Sequence, residues 1–127
     1  MSTSAQFAAT PRAAYGQVSV ANTNRDGTGT IATIFTAGAS GSRVDDIFIA
    51  ATGTVTAGVV RLFLNDGTNT RLWQEILVTA TTPSTTVQVW SYSLLNQALV
   101  LPTGYSLRAS TNNAETFNVN VTRAGDF

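Results

Sequence analysis

The sequence contains no cysteine and no histidine, and lysine is absent too because every basic residue is arginine. Without cysteine, the chain has no disulfides, no thiolate nucleophile and no cysteine-ligated zinc or iron–sulfur site. Without histidine and lysine, it lacks the usual general base near neutral pH and the amine of a Schiff base. Most hydrolase mechanisms are thereby excluded, and we expect a protein that is not an enzyme and that needs no cofactor.

Charge is also scarce: charged residues make up 11% of the chain, and seven basic residues balance seven acidic ones. Such a chain has no long-range field to attract nucleic acid or an anionic membrane, so neither is an expected partner. Arginine suits desolvated protein interfaces because its planar fork holds carboxylates and carbonyls bidentately, although GC-rich codon usage gives the same bias. The basic residues are Arg12, Arg25, Arg43, Arg61, Arg71, Arg108 and Arg123.

Long apolar segments are missing as well. Residues 1–10 lack the basic and apolar regions of a secretion signal, and no stretch approaches the length of a membrane span. We therefore expect the chain to be made and assembled in the cytoplasm. With 127 residues, of which 43% are apolar, it is long enough for one hydrophobic core and too short for two domains of ordinary size.

The first fourteen residues differ from the rest. They are mainly alanine, serine and threonine with Pro11, and they show neither a strand period nor a helix period. This composition predicts a flexible N-terminal arm over residues 1–14 and a single folded domain over residues 15–127. In an assembly, such an arm becomes ordered against a neighbouring subunit.

Beyond residue 17, short apolar runs bounded by turn residues recur to the end of the chain and predict about eight strands. The strongest hairpin signal is Asp66-Gly67, which lies between two alternating runs. Residues 117–122 alternate apolar and polar side chains, as a half-buried strand does. No segment carries a sustained helical stripe. The prediction is an all-β, antiparallel two-sheet sandwich of jelly-roll or Greek-key type, with a strand order that the sequence does not determine.

Few residues offer catalytic chemistry. Asp45, Asp46, Glu75 and Glu115 are the only candidates for the acid and the nucleophile of a glycosidase. A small sandwich seldom supplies the deep cleft that a sugar chain needs, so isolated surface acids are the simpler interpretation.

One turn imitates a metal site. Asn22, Asn24 and Asp26 are spaced like the first half of a calcium loop, but Thr33 occupies the position of the bidentate glutamate. Hydrogen bonding within an Asx-rich turn explains these residues without a metal ion.

The aromatic residues are the better candidates for binding. Residues 87–94 form a predicted strand on which Trp90 and Tyr92 share a face, and Trp73 and Tyr105 lie on other predicted strands. Such side chains serve as sugar platforms or interface hot spots, but they also fill sandwich cores. The candidate partner-binding residues are Arg12, Tyr15, Arg43, Trp73 and Trp90.

A block near the C-terminus carries a family resemblance. It reads LPTGYSLRAST over residues 101–111 and is followed by ETFNV over residues 115–119. From about Val18 to the end, the chain resembles the small β-sandwich decoration, or cement, proteins of tailed bacteriophages. These proteins bind the outside of an expanded capsid between major capsid subunits and resist the internal pressure of the DNA.

The resemblance implies a structural virion protein on the capsid exterior, with the major capsid protein as partner. It also implies a homo-oligomer around a symmetry axis, and we take a trimer as the working assumption. The arm and one end of the sandwich are then the expected contacts with the shell. Two alternatives stay open: a phage tail or fibre module, and a carbohydrate-binding sandwich that uses Trp73 or Trp90.

Overall fold

The structure, a computed structural model, describes residues 9–127, and over this range it is all-β. It therefore has no helix, in that range, that could cross a membrane. The predicted all-β sandwich is confirmed. The nine strands are β1 (Thr10–Val18), β2 (Ala32–Thr36), β3 (Ser42–Ala51), β4 (Gly58–Asn65), β5 (Thr70–Val78), β6 (Ser91–Leu94), β7 (Leu99–Leu101), β8 (Ser106–Thr111) and β9 (Phe117–Asp126).

Two antiparallel sheets form the sandwich. Sheet A has the order β1-β9-β3-β6, with β7 also paired to β3, and sheet B has the order β2-β8-β4-β5. Strands β6 and β7 pair with successive parts of β3, so together they form one interrupted strand. If β6 and β7 are counted as one strand, β8 becomes the seventh strand and β9 the eighth. The order is then 1-8-3-6 in one sheet and 2-7-4-5 in the other, which is the order of a jelly roll.

The interruption between β6 and β7 has a defined geometry. Asn96 and Ala98 both adopt a left-handed backbone, with φ of 55° and 48°. A carboxylate oxygen of Asp46 accepts the backbone N–H of Asn96 at 2.9 Å, and Arg123 donates to the Asn96 side chain at 2.7 Å. Residues 95–98 therefore form a fixed bulge that is tied to β3 and β9.

The core lies between the two sheets and follows strict alternation along the central strands. On β9 the side chains of Phe117, Val119 and Val121 are buried, while the residues between them face outward. Their neighbours Ile47 and Ile49 on β3 are buried in the same layer. The alternation predicted for residues 117–122 is confirmed, and the strand continues to Asp126.

The prediction of a flexible arm over residues 1–14 is corrected for its last part. Strand β1 begins at Thr10 and pairs with β9 from Thr10–Asp126 to Val18–Phe117. This is an edge strand, where Pro11 is tolerated because one row of backbone N–H groups needs no partner in the sheet. Residues 1–8 of the predicted arm lie outside the described residues.

The connection from β1 to β2, residues 19–31, contains the turn of Asn22, Asn24 and Asp26. We call it the covering loop because it crosses the outer face of sheet B. The N–H of Asn22 donates to the carbonyl of Thr111 at 2.8 Å, and the side chains of Arg25 and Arg61 meet beneath the loop on Glu75. As a result, Arg61 is only 2% exposed although its side chain points away from the main core.

Candidate functional site

The four carboxylates proposed for glycosidase chemistry are all engaged within the fold. Asp45 pairs with Arg43 at 2.9 Å, Asp46 pairs with Arg123 at 3.0 Å, and Glu115 accepts from the backbone N–H and the hydroxyl of Thr56. Glu75 pairs with Arg25 of the covering loop and with the buried Arg61. They lie on β3, on β5 and in the β8–β9 connection.

Two of these carboxylates, Asp46 and Glu75, have a lowered pKa, whereas a general acid needs a raised one. Hydrogen bonds from Arg123 and from the N–H of Asn96 lower the pKa of Asp46. Hydrogen bonds from Arg25 and Arg61 lower the pKa of Glu75. A glycosidase acid needs a raised pKa, so neither group is prepared to donate a proton at neutral pH.

The calcium-like segment is a hydrogen-bonded turn. The amide of Asn22 donates to the carbonyls of Thr28 and Thr30, and its oxygen accepts the N–H of Asn24. Asp26 accepts both the N–H and the hydroxyl of Thr28. The Asx-turn interpretation is confirmed. Over residues 9–127, no three aspartate or glutamate side chains come together as metal ligands.

Arg12 is fixed by contacts inside the domain. Its guanidinium donates to the carbonyl of Thr36 at 2.8 Å and to Asp126 at 3.0 Å, and it lies 4.2 Å from the ring centre of Phe35. Arg12 belongs to sheet A, whereas Thr36 and Phe35 belong to sheet B. This arginine therefore ties the two sheets together at one edge.

The carboxylate in this tie makes stability depend on pH. Hydrogen bonds from Ser42 and Arg12 lower the pKa of Asp126 below its ordinary value of 3.8. A group whose pKa is lower in the folded state stabilises the protein above its unfolded pKa, and that contribution is lost as pH falls through the folded pKa. Since the chain has no histidine, we expect the midpoint of thermal unfolding to stay constant from about pH 8 to about pH 5.5 and to fall below about pH 4.

Differential scanning calorimetry across this pH range tests the expectation, with Asp126→Asn as the control variant. The variant should unfold at a lower temperature than the parent at pH 7, and the two curves should converge in acid. A fall in the parent's midpoint between about pH 7 and about pH 6 would contradict the assignment.

The outer face of sheet A has an uncharged part around Tyr15. Two rows of side chains cross the four strands of this face. One row is Tyr15, Asn120, Phe48 and Ser93, and the other is Gln17, Asn118, Ala50 and Ser91. Tyr15 is 76% exposed, and Gln17 donates to Asn118 at 2.9 Å.

Of the candidate residues, Tyr15 belongs to these two rows. Arg43 lies further along β3, where its Nε donates to Asp45 and about a third of its side chain is exposed. Phe48, Asn118 and Asn120 also belong to these rows and were not predicted as candidate residues. The alternation along residues 117–122 predicts that the two asparagines face solvent. Their alignment with Tyr15, however, depends on the pairing of β1 with β9.

Trp90 lies at the edge of the sandwich. It stacks on Tyr92 with ring centres 6.5 Å apart and packs edge-on against the buried Phe117 at 5.7 Å. The prediction that Trp90 and Tyr92 share a face is confirmed. The strand predicted over residues 87–94 is shorter, however, because Ser84 and Val87 close a turn and β6 begins only at Ser91.

Trp73 lies in a groove of about 340 Å³, which we call the hairpin groove. Opposite β4, strand β5 contains one extra residue between Leu72 and Gln74, and this bulge residue is Trp73. The groove is lined by Leu64, Asp66, Asn69, Arg71, Leu72, Trp73 and Tyr105. It lies where the β4–β5 hairpin meets the turn before Tyr105.

The hairpin predicted from Asp66-Gly67 is confirmed, since β4 and β5 join through residues 66–69. The groove itself was not predicted. Its aromatic residues come from two distant parts of the chain, and the bulge that places Trp73 has no signal in the sequence.

A scan against protein-family models found no match for this chain, and searches of curated proteins and of solved structures found none either.

Proposed function

We propose that this domain is a structural virion protein of a tailed bacteriophage that binds the outer surface of the capsid and stabilises the shell. The observation that carries the proposal is the uncharged part of the outer face of sheet A, with Tyr15 exposed on its edge strand. Protein interfaces are depleted of charge at their centres and enriched in aromatic residues, and this part of the face is uncharged and contains Tyr15 and Phe48. The resemblance of residues 101–119 to decoration proteins supports the same assignment.

The size of the face indicates how such binding works. Four strands span about 14 Å, and the two rows of side chains lie about 7 Å apart along the strands. A stable pairwise interface covers about 800 Å² on each partner, so this patch makes a weak contact by itself. Several copies that bind together overcome this weakness through avidity, which is why we propose a homo-oligomer, with a trimer as the working assumption.

The partner in this proposal is the major capsid protein. The five ion pairs among the described residues support the choice of an uncharged contact, because they hold five guanidiniums and four carboxylates within the fold. Binding then depends on shape and on tyrosine and amide contacts, and salt should change the affinity little.

Co-sedimentation with expanded, undecorated capsids tests the proposal through two matched variants. Tyr15 on the outer face of sheet A is 76% exposed, and Leu77 on the outer face of sheet B is 78% exposed. We expect Tyr15→Arg to weaken capsid binding by about 2 kcal/mol, or roughly 30-fold, because an exposed interface tyrosine is replaced by a charge. We expect Leu77→Arg to bind like the parent.

Saturable binding at a copy number that matches a symmetry position of the capsid would support the decoration role and give the oligomeric state. Folded protein that does not bind capsids would overturn the proposal and favour a place in the tail or a fibre. If both variants lost binding equally, the outer face of sheet A would be excluded as the specific contact with the capsid.

A further inference from the structure

The hairpin groove combines an apolar floor with two charged groups at its rim. Trp73 and Tyr105 pack partly against the core, and Leu72, which lines the same groove, is 37% exposed. Arg71 and Asp66 line the same groove. Ligand pockets typically have this composition, mostly apolar with a few polar groups that fix orientation.

The polar groups of the groove have capacity left for a ligand. Asp66 accepts the backbone N–H groups of Thr68 and Asn69 through Oδ1, and its Oδ2 forms no hydrogen bond with any residue from 9 to 127. Arg71 forms no ion pair within that same range. The side-chain amide of Asn69 likewise has no hydrogen bond to another described residue, and it too lines the groove.

This combination selects a class of ligand. The rim offers a carboxylate that accepts hydrogen bonds, a guanidinium that donates them and an amide that does both. Its charges cancel, so it favours a neutral molecule with several hydroxyl groups over an anion or a cation. The indole and phenol rings offer apolar faces to the C–H groups of a sugar ring.

From these observations we propose that the hairpin groove binds a neutral saccharide, with the sugar ring on Trp73 and its hydroxyls on Asp66, Asn69 and Arg71. A volume of about 340 Å³ lies at the small end of ligand pockets, which limits the occupant to one or two sugar units. The groove is separate from the outer face of sheet A. The inference therefore does not depend on capsid binding, and capsids and sugars can be tested independently.

The two tryptophans of the chain provide a matched pair of reporters. Trp90→Phe leaves Trp73 as the single tryptophan in the groove, and Trp73→Phe leaves Trp90, which stacks on Tyr92 away from the groove lining. Each variant is titrated with glucose, galactose, mannose and N-acetylglucosamine and with their common neutral disaccharides. We expect at least one sugar to change the fluorescence of Trp90→Phe saturably, with a Kd of about 1 mM, and to leave that of Trp73→Phe unchanged.

Adding Arg71→Ala to the Trp90→Phe variant separates ligand binding from folding, because Arg71 is exposed and forms no ion pair among residues 9–127. We expect about a tenfold weaker affinity for the sugar and an unchanged unfolding midpoint. Two outcomes would overturn the proposal: no response to any sugar of the panel, or a response that survives Arg71→Ala.

Discussion

Replacing Glu75 by alanine should lower the free energy of unfolding by about 3 kcal/mol, whereas Arg25→Ala should lower it by less than about 1 kcal/mol. Both residues belong to the same ion-pair group, in which Oε2 of Glu75 accepts from Arg25 at 2.7 Å and from Arg61 at 2.8 Å. The difference arises from burial. The side chain of Arg25 is 65% exposed, so water replaces its partner readily, whereas Arg61 is almost fully buried.

Without Glu75, the guanidinium of Arg61 keeps only neutral acceptors. These are the backbone carbonyl of Asn22 at 3.1 Å and the side-chain oxygen of Asn112 at 3.2 Å. A buried charge that loses its counter-charge typically costs 3–5 kcal/mol, and we take about 3 kcal/mol because Glu75 itself is partly exposed and water can reach its place.

Chemical denaturation and thermal unfolding measure this difference directly. For a domain of this size, the expected fall in the unfolding midpoint is about 12 °C for Glu75→Ala and no more than about 4 °C for Arg25→Ala. The double variant Arg61→Met, Glu75→Leu should recover part of the loss, since it removes the buried charge together with its partner. Equal losses for the two single alanine variants would show that the burial of Arg61 does not control the energetics.

The second large effect concerns two glycines with the same backbone conformation. Gly27 in the covering loop has φ of +88°, and Gly104 in the turn before Tyr105 has φ of +85°. A Cβ on Gly27 would overlap the carbonyl oxygen of Thr70, whereas a Cβ on Gly104 would meet no atom within 4 Å. Gly27→Ala therefore adds a clash with backbone to the cost of the left-handed conformation.

We expect Gly104→Ala to cost about 1 kcal/mol, which is the penalty of the left-handed backbone, and Gly27→Ala to cost about 3 kcal/mol. Equilibrium urea unfolding of the two variants measures both values. Amide hydrogen exchange should also show faster exchange in residues 19–31 of Gly27→Ala, because the covering loop loosens from sheet B. Equal costs at the two positions would mean that the covering loop moves away from Thr70 without penalty.

The fold class was predictable because it depends on local patterns. The Asp66-Gly67 turn and the alternation along residues 117–122 are short-range signals. The structure confirms the first as the β4–β5 hairpin and the second as part of strand β9. The absence of a helical stripe also needs no knowledge of distant contacts. These features are set by the period of side chains along a strand and by the residues that turns require.

What the sequence did not show depends on contacts between distant segments. The first part of strand β1, residues 10–14, has the composition of a flexible arm because its residues are mostly small and include Pro11, and pairing with β9 makes it part of a strand. The burial of Arg61 depends on the covering loop above it. The order of strands in a jelly roll likewise follows from long-range pairing that no local window contains.

The two candidate surfaces were also predictable only in part from the sequence. The aromatic residues were recognisable as candidates, but the structure separates Trp90, which packs at the sandwich edge, from Trp73, which lines the hairpin groove. The outer face of sheet A assembles Tyr15, Phe48 and Asn120 from three strands. Neither surface is a stretch of sequence, so neither was visible before the strands were paired.

The position of β9 between β1 and β3 has a consequence for the folding reaction. The β4–β5 hairpin closes a turn of four residues and forms from local contacts, whereas Thr10 finds its partner at Asp126 almost the whole length of the chain away. Closing so large a loop costs entropy before any contact compensates for it, which gives the domain a high contact order. Sheet A is therefore expected to assemble late, in a folding reaction on the scale of milliseconds to seconds, with sheet B as the earlier template.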